Sequence, residues 1–346
     1  MMKKMKMTAA SAAAIAIATG LGGAAFAQET TGAIRGAVVD PSGAPVSGAT
    51  VTVTDNRTGS VRTLTTGANG DFSTRGLPVS GDYSVRVVTD QYANEQVDGV
   101  SVSIGNTTNL TFDLEAGSGA SDEIVVVATR SVVSEIATGP SAVFSAADLN
   151  DLPNMNRDIK DIIRLDPRIN VDETTNNGNG VFCAGGNSRS NSLTVDGIKQ
   201  NDDFGLNDNG YPTQRLPFPY DAVEQVSVEL APFDVEYGGF TGCNINVVTK
   251  SGSNELHGGM FLTYDFALLN GSSLDDGAIS VARPANDTKS WGGVLSGPII
   301  KDRVFFTFAY EKFSGADTVD IGYPGSGASN IVPGGTQEKF ERVINV

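Results

Sequence analysis

The stretch Arg303-Val304-Phe305-Phe306-Thr307-Phe308-Ala309-Tyr310-Glu311 places a large apolar side chain at every second position. Val304, Phe306, Phe308 and Tyr310 share one face, and Arg303, Phe305, Thr307, Ala309 and Glu311 share the other. A period of two is the mark of a strand. Met260, Leu262, Tyr264 and Phe266 repeat the pattern against Gly259, Phe261, Thr263 and Asp265. In both stretches one face is apolar with a tyrosine toward its end, while the other is small or polar apart from Phe261 and Phe305. Two readings fit: transmembrane barrel strands with lipid on one side and lumen on the other, or a half-buried soluble sheet. The sequence holds no apolar run long enough for a transmembrane helix, so membrane residence would require a barrel. Ser290 to Ser296 is expected to pair with residues 303–312 through a short turn near Lys301-Asp302.

Upstream, residues 131–252 read as a compact α+β unit with long irregular loops. Strands are expected at Ser192–Val195, Val223–Leu230 and Cys243–Thr249. Asp148 to Asp166 carries the clearest helix signal, with Asn156 as N-cap, Asp158 in the first turn, and Ile159, Ile162 and Ile163 at helical spacing before Pro167. The Asn- and Gly-rich runs around 172–180 and 201–210 are long enough to be functional. Their polar residues Asn176, Asn177, Asn179, Asp202, Asp203, Asn207 and Asp208 could hydrogen-bond a ligand, or could be solvated loop residues without specificity.

Residues 28–116 read as a small Greek-key β-sandwich of about seven short strands. Ile34 and Val38, Val51 and Val53, Val85 and Val87, Val100 and Val102, and Leu110, Phe112 and Leu114 alternate with small or polar neighbours. Asp40-Pro41-Ser42-Gly43, Asn56-Arg57-Thr58-Gly59, Asn69-Gly70 and Ser80-Gly81-Asp82 supply the turns. Residues 117–130 form a linker. Gly117-Ser118-Gly119-Ala120-Ser121 is flexible by composition, and Asp122-Glu123-Ile124-Val125-Val126-Val127 follows it. Acids followed by β-forming residues suit either an exposed segment that adds to another protein's sheet edge or an internal strand of the next unit.

Residues 1–27 have the form of a signal peptide: Lys3, Lys4 and Lys6, an alanine-rich core from Ala9 to Leu21, and Ala25-Phe26-Ala27 before Gln28. Cleavage there would take the formal charge from −16 to −19 by removing three lysines and no acid. Such an acidic chain is poorly suited to neutralising phosphates, so nucleic acid is not an expected partner. In an oxidising compartment the two cysteines, Cys183 and Cys243, read as a disulfide. Two buried thiols or half a metal site are the alternatives. The metal reading lacks ligands, because His257 is the sole histidine and no C-x-x-C spacing occurs.

Two resemblances join these pieces. Ile34-Arg35-Gly36-Ala37-Val38-Val39-Asp40, Gly43 to Val51, Asn69-Gly70-Asp71-Phe72 and Leu77 to Tyr83 resemble a carboxypeptidase regulatory-like domain, a carbohydrate-binding-like fold. The name does not carry peptidase activity, since one histidine cannot build the zinc site such peptidases use. From Glu123 to Lys312 the chain resembles TonB-dependent outer-membrane receptors of the Oar-like branch. The resemblance rests on Glu123 to Arg130, Ser192-Leu193-Thr194-Val195-Asp196-Gly197-Ile198, Asp221 to Val228, Pro232 to Gly242, Ile245 to Gly252 and Gly297 to Phe306, in that order.

The resemblance implies a Gram-negative outer-membrane location with the sandwich in the periplasm. It implies residues 131–252 as the plug and 253–346 as the start of a transmembrane β-barrel. Asp122 to Val127 would be the TonB box, pairing by strand addition with the periplasmic domain of TonB. The remaining partners would be outer-membrane lipid and an extracellular ligand of unknown identity. Plugged transporters have 22 strands, and the roughly 90 residues after Asn254 allow only about four, so the sequence is expected to be the front portion of a longer protein. No cofactor, metal or enzymatic activity is expected. Asn207-Asp208-Asn209-Gly210 lacks the closing glutamate of a calcium loop, no phosphate-binding fingerprint is present, and a Ser/His/Asp triad could be built only around His257. The competing reading is an outer-membrane binding or adhesion protein whose sandwich recognises carbohydrate and which transports nothing.

Overall fold

The computed structural model describes residues 30–117, 123–126, 141–154, 156–172, 180–202, 210–213, 215–230, 240–265, 273–274, 279–280, 287–318 and 337–345. The signal-peptide reading of residues 1–27 lies outside them. The chain is β-rich, with a sandwich, a central α+β unit and an open antiparallel sheet following one another.

Seven strands build the sandwich: β1 (Thr31–Val39), β2 (Thr50–Asp55), β3 (Ser60–Thr65), β4 (Asp71–Pro78), β5 (Ser80–Val88), β6 (Asn94–Val102) and β7 (Thr107–Asp113). Strand β1 lies between β4, antiparallel, and β7, parallel. The facing sheet runs β3-β2-β5-β6 and ends on β8 (Glu123–Val126). Alternation fills the space between them: Ile34, Val38, Val51, Val53, Val85, Val87 and Phe112 are fully or almost fully buried, and Tyr83 joins them with its hydroxyl donating to the Pro78 carbonyl at 2.8 Å. The turns follow their chemistry. The Asp40 carboxylate accepts from the Ser42 and Ala44 amides, both at 2.9 Å, in an Asx turn. Gly70 has φ +72°, and a Cβ there would lie 2.5 Å from the Val38 carbonyl oxygen. Only glycine tolerates both.

The central unit holds a five-stranded sheet in the order β13 (Ile198–Lys199), β12 (Ser192–Val195), β15 (Asn244–Thr249), β14 (Val223–Glu229), β9 (Ser141–Ser145). Its core is Leu149, Ile159, Ile162, Ile163, Val226, Val228, Ile245 and Val247. The helix signal of Asp148–Asp166, expected to start at Asn156, resolves into two short helices, α1 (Ala146–Asp151) and α2 (Lys160–Ile163). Ser145 caps α1 in a reciprocal capping box with Asp148. Pro153 then breaks the helix, and Arg157, with φ +53°, turns the chain. Asn156 is therefore not an N-cap; its amide donates to the Asp161 carboxylate at 3.2 Å. The isoleucine spacing still buries Ile159, Ile162 and Ile163 completely, because the last turn keeps helical geometry.

On either side of the Asn-rich run, β10 (Ile169–Asp172) and β11 (Gly180–Cys183) pair as an antiparallel hairpin. Cys183 ends β11, and its disulfide to Cys243 spans 5.8 Å between Cα atoms, both side chains being buried.

The third unit is a sheet in the order β16 (His257–Asp265), β19 (Asp287–Ile300), β20 (Val304–Thr318), β21 (Gln337–Asn345), with a two-residue ladder of β17 (Ser273–Leu274) and β18 (Ile279–Ser280) beside it in sequence. Strands β19 and β20 turn at residues 301–303, and Ser290 lies opposite Phe313. The register puts Leu262 opposite Trp291 and Leu295 opposite Phe308. The same face carries Met260, 93% exposed, and the Trp291 and Tyr310 rings stand 5.2 Å apart. The described strands do not close into a barrel. Among the described residues no helix is long and apolar enough to cross a membrane, which says nothing about crossing by strands.

Candidate functional site

Functional geometry concentrates where the three units meet. The sandwich reaches the central unit through its β2–β3 turn and the β6–β7 loop. The Arg57 guanidinium lies 3.3 Å from the Glu224 carboxylate and donates to the Val79 carbonyl at 3.3 Å. The Ile104 amide donates to the Gln225 side-chain oxygen at 2.8 Å, and Val79, Ile104 and Val248 close over the contact as a small apolar cluster. The Asn254 amide donates to the Arg57 carbonyl at 2.8 Å. Asn254 also exchanges hydrogen bonds with Asp302 in the β19–β20 turn, donating from its side chain at 2.7 Å and accepting from the Asp302 amide at 2.8 Å. Glycine is required at Gly252, where a Cβ would fall 2.6 Å from the Phe306 carbonyl oxygen and 2.8 Å from the Phe305 Cβ. There the chain passes from the central unit against the sheet wall.

A second contact fixes the central unit to the inner face of the wall. Arg157, turned by its positive φ, sets its guanidinium 2.9 Å from Asp221 and 3.5 Å from Glu311 on β20. It also lies 3.4 Å from the ring centroid of Phe261 on β16. The Nε and Nη2 approaches are charge contacts that fall short of well-aligned hydrogen bonds. Glu311 additionally accepts from the Tyr220 amide at 3.3 Å. Nearby, the Arg215 guanidinium sits 3.9 Å from the centre of the Phe313 ring. Phe261, an exception to the polar character of the inner face, thus carries an arginine.

Behind this contact Lys160 is buried, with its ammonium 3.8 Å from the centre of the Tyr211 ring. Burial lowers its pKa to about 8, against the opposing pull of Asp158 and Asp161. Tyr211 donates its hydroxyl to Asp158 at 2.7 Å, and its burial holds the phenol well above its ordinary pKa.

The segment Asp122 to Val127 is described only at residues 123–126. Their backbone is strand β8, parallel to β6, with Glu123 opposite Asn94 and Val126 opposite Val97. The strand therefore lies on the sandwich, at the edge of its sheet, and not within the sheet of the following unit. Of the seven polar loop residues, only Asp202 is described, and it is half-buried; Asn176, Asn177, Asn179, Asp203, Asn207 and Asp208 lie outside the described residues. An open cleft of about 790 Å³ runs between the units past Arg57, Asp221, Glu224, Lys250, His257 and Phe261, and Asp202 does not line it. Among the described residues no group of three or more His, Cys, Asp or Glu side chains could hold a metal ion.

The junction and the arginine lock were not anticipated as sites in the sequence. Phe261 was the one available signal, as an aromatic on a face that otherwise carries small or polar residues.

Three family models match the chain in the order of its units. The carboxypeptidase regulatory-like domain matches residues 33–115, the TonB-dependent receptor plug domain matches 135–242, and an outer-membrane beta-barrel domain matches 248–321. The sandwich, the plug and the barrel strands thus follow one another as three domain matches. Each model covers less than half of the chain, and together they make it similar, unit by unit, to the TonB-dependent receptors of the Gram-negative outer membrane. The chain is 32% identical over 136 residues to the TonB-dependent transporter Oar of Myxococcus xanthus, a match covering 38% of this chain and 12% of that protein. The chain thus spans a small part of the curated relative's length. Among solved structures it is similar to the siderophore receptor PirA of Acinetobacter baumannii, with 25% identity, 52% of this chain, 25% of that chain and a TM-score of 0.37. It is also similar to the outer membrane transporter YddB of Escherichia coli, with 16% identity, 59% of this chain, 29% of that chain and a TM-score of 0.41.

Proposed function

We propose that the chain acts in energised uptake: a ligand binds at the outer face, and TonB, pairing strand to strand with Asp122–Val127, draws on the plug to admit it. The division of labour would be a periplasmic sandwich at 28–116, a TonB-box linker at 117–130, a plug at 131–252 and barrel wall from 253 onward. The loop residues Asn176, Asn177, Asn179, Asp202, Asp203, Asn207 and Asp208 would face the ligand. The single observation that carries the reading is an extended segment between sandwich and plug whose strand ends a sheet, leaving backbone groups for a further strand. The outward apolar face of Met260, Leu262, Trp291, Leu295 and Phe308 supports contact with lipid. No observation favours the adhesion reading over this one.

Deletion of residues 122–127 tests it in cells that express the whole receptor. Crosslinking to TonB and ligand-dependent growth should both be lost. Undiminished uptake after the deletion overturns the assignment of the box.

A further inference from the structure

We propose that the sandwich is a presentation platform: β8, held on β6, offers its outer edge as the surface to which a strand of TonB's periplasmic domain adds. The docking surface is then a composite of sandwich and linker rather than a free peptide. This inference rests on the reading of residues 122–127 as the TonB box.

Three observations carry it. The sheet runs β3-β2-β5-β6-β8, and among the described residues nothing pairs with the far side of β8. In a strand, alternate residues direct their backbone N–H and C=O groups to opposite edges, so pairing with β6 leaves the second set open. Secondly, the platform is anchored. Arg57–Glu224, Ile104–Gln225 and Asn254–Arg57 fix the sandwich to the plug and the wall, so β8 is presented at a defined place. Thirdly, the sequence from Thr30 to Ala116 carries nine Asp and Glu against five Arg, with no lysine or histidine, so the domain is net acidic, and Asp122 and Glu123 add to that. The partner this surface fits is therefore a β-strand bearing Lys or Arg.

An edge already ordered by β6 does not have to be ordered again on binding, so the chain should bind its partner more tightly than the loose segment does. The opposite arrangement, in which β6 hides the segment, predicts that TonB must first strip it away.

The experiment uses the full chain in detergent, the purified periplasmic domain of TonB, and a synthetic peptide of residues 118–130. Gln96 and Val125 are register partners, so the double variant Gln96→Cys/Val125→Cys should crosslink on oxidation and lock β8 onto β6. Locked and unlocked chains should bind TonB with dissociation constants within about threefold of each other, and both about tenfold tighter than the peptide. Failure to crosslink overturns the docking of β8. Binding by the peptide and the unlocked chain, but not by the locked chain, overturns the platform and leaves the box intact. Equal affinity of peptide and chain also overturns the platform. No binding by either overturns the box and the platform together. Concentration-dependent dimerisation of the chain through β8 without TonB would assign the edge to a second copy and overturn the proposal.

Discussion

The Ile104 amide of the sandwich donates to the Gln225 side-chain oxygen of the plug at 2.8 Å, across 121 residues of sequence and out of contact with water. Gln225→Met keeps the side-chain volume but strands a buried donor, which costs about 1–3 kcal/mol. Hydrogen exchange at Ile104 should accelerate, while protection within the sandwich core around Val85 and Val87 stays unchanged. Equal acceleration throughout the sandwich would mean that the bond holds the domain's fold and not the junction.

Arg157 should couple energetically to Glu311. Both side chains are largely shielded, at 19% and 13% exposed, so leaving either charge without its partner is costly. In a double-mutant cycle of Arg157→Met and Glu311→Gln, the two changes together should destabilise the plug's seating by about 1–3 kcal/mol less than the sum of the single changes. Proteolytic nicking of the plug in detergent-solubilised chain reports the seating. A coupling indistinguishable from zero would make the Phe261 ring contact, and not the ion pair, the holding element.

The disulfide predicts that neither Cys183 nor Cys243 reacts with a thiol reagent in denatured, unreduced chain. Two reactive thiols would refute it. Cys183→Ser/Cys243→Ser should destabilise the plug by about 2–4 kcal/mol, read from the denaturant dependence of exchange in β15.

Lys160 predicts a pH dependence with a definite sign. Its folded pKa, about 8, lies below its ordinary 10.5, so between these values the unfolded chain binds more protons and stability rises with pH. From pH 7.5 to 9.5 the plug should gain about 1–2 kcal/mol, measured as slowed exchange of the α2 amides after correction for the intrinsic rate. Above the ordinary phenol pKa of 10.0, the buried Tyr211 works in the opposite direction, since its folded form holds its proton longer. Lys160→Met should flatten the rise below that point; an unchanged slope assigns it elsewhere.

Period-two alternation was enough to find most of the sandwich strands and the pairing of β19 with β20, because these strands turn one whole apolar face the same way. The helix expected from Asn156 starts only at Lys160 because Arg157 takes a left-handed backbone, although the isoleucine spacing still named the core residues. The β10–β11 hairpin was hidden because its strands flank an Asn-rich stretch that dominates the local composition. Contacts such as Ile104–Gln225 and Arg157–Phe261 depend on how units meet, and no local pattern specifies that. The parallel pairing of residues 123–126 with β6 was illegible for the same reason: an apolar run announces a strand without naming its neighbour.

The Cys183–Cys243 bond acquires a mechanical meaning once tension enters from the linker. Strand β9, at the sheet's edge and among the described residues paired with β14 alone, peels first, and the chain then pays out through α1, α2 and the β10–β11 hairpin. At Cys183 the pull jumps across the sulfurs to Cys243 and arrives at β15, which is flanked by β12 and β14. The intervening chain, including β12 to β14, is a slack loop off the load path. With 60 residues of separation, about 200 Å of contour is withheld from extension. Single-molecule stretching of the chain should lengthen by about that amount when the bond is reduced, and an identical extension in both states would place the load elsewhere. The bond is thus a stop that sets how far the plug can be drawn out while its central strand stays in register.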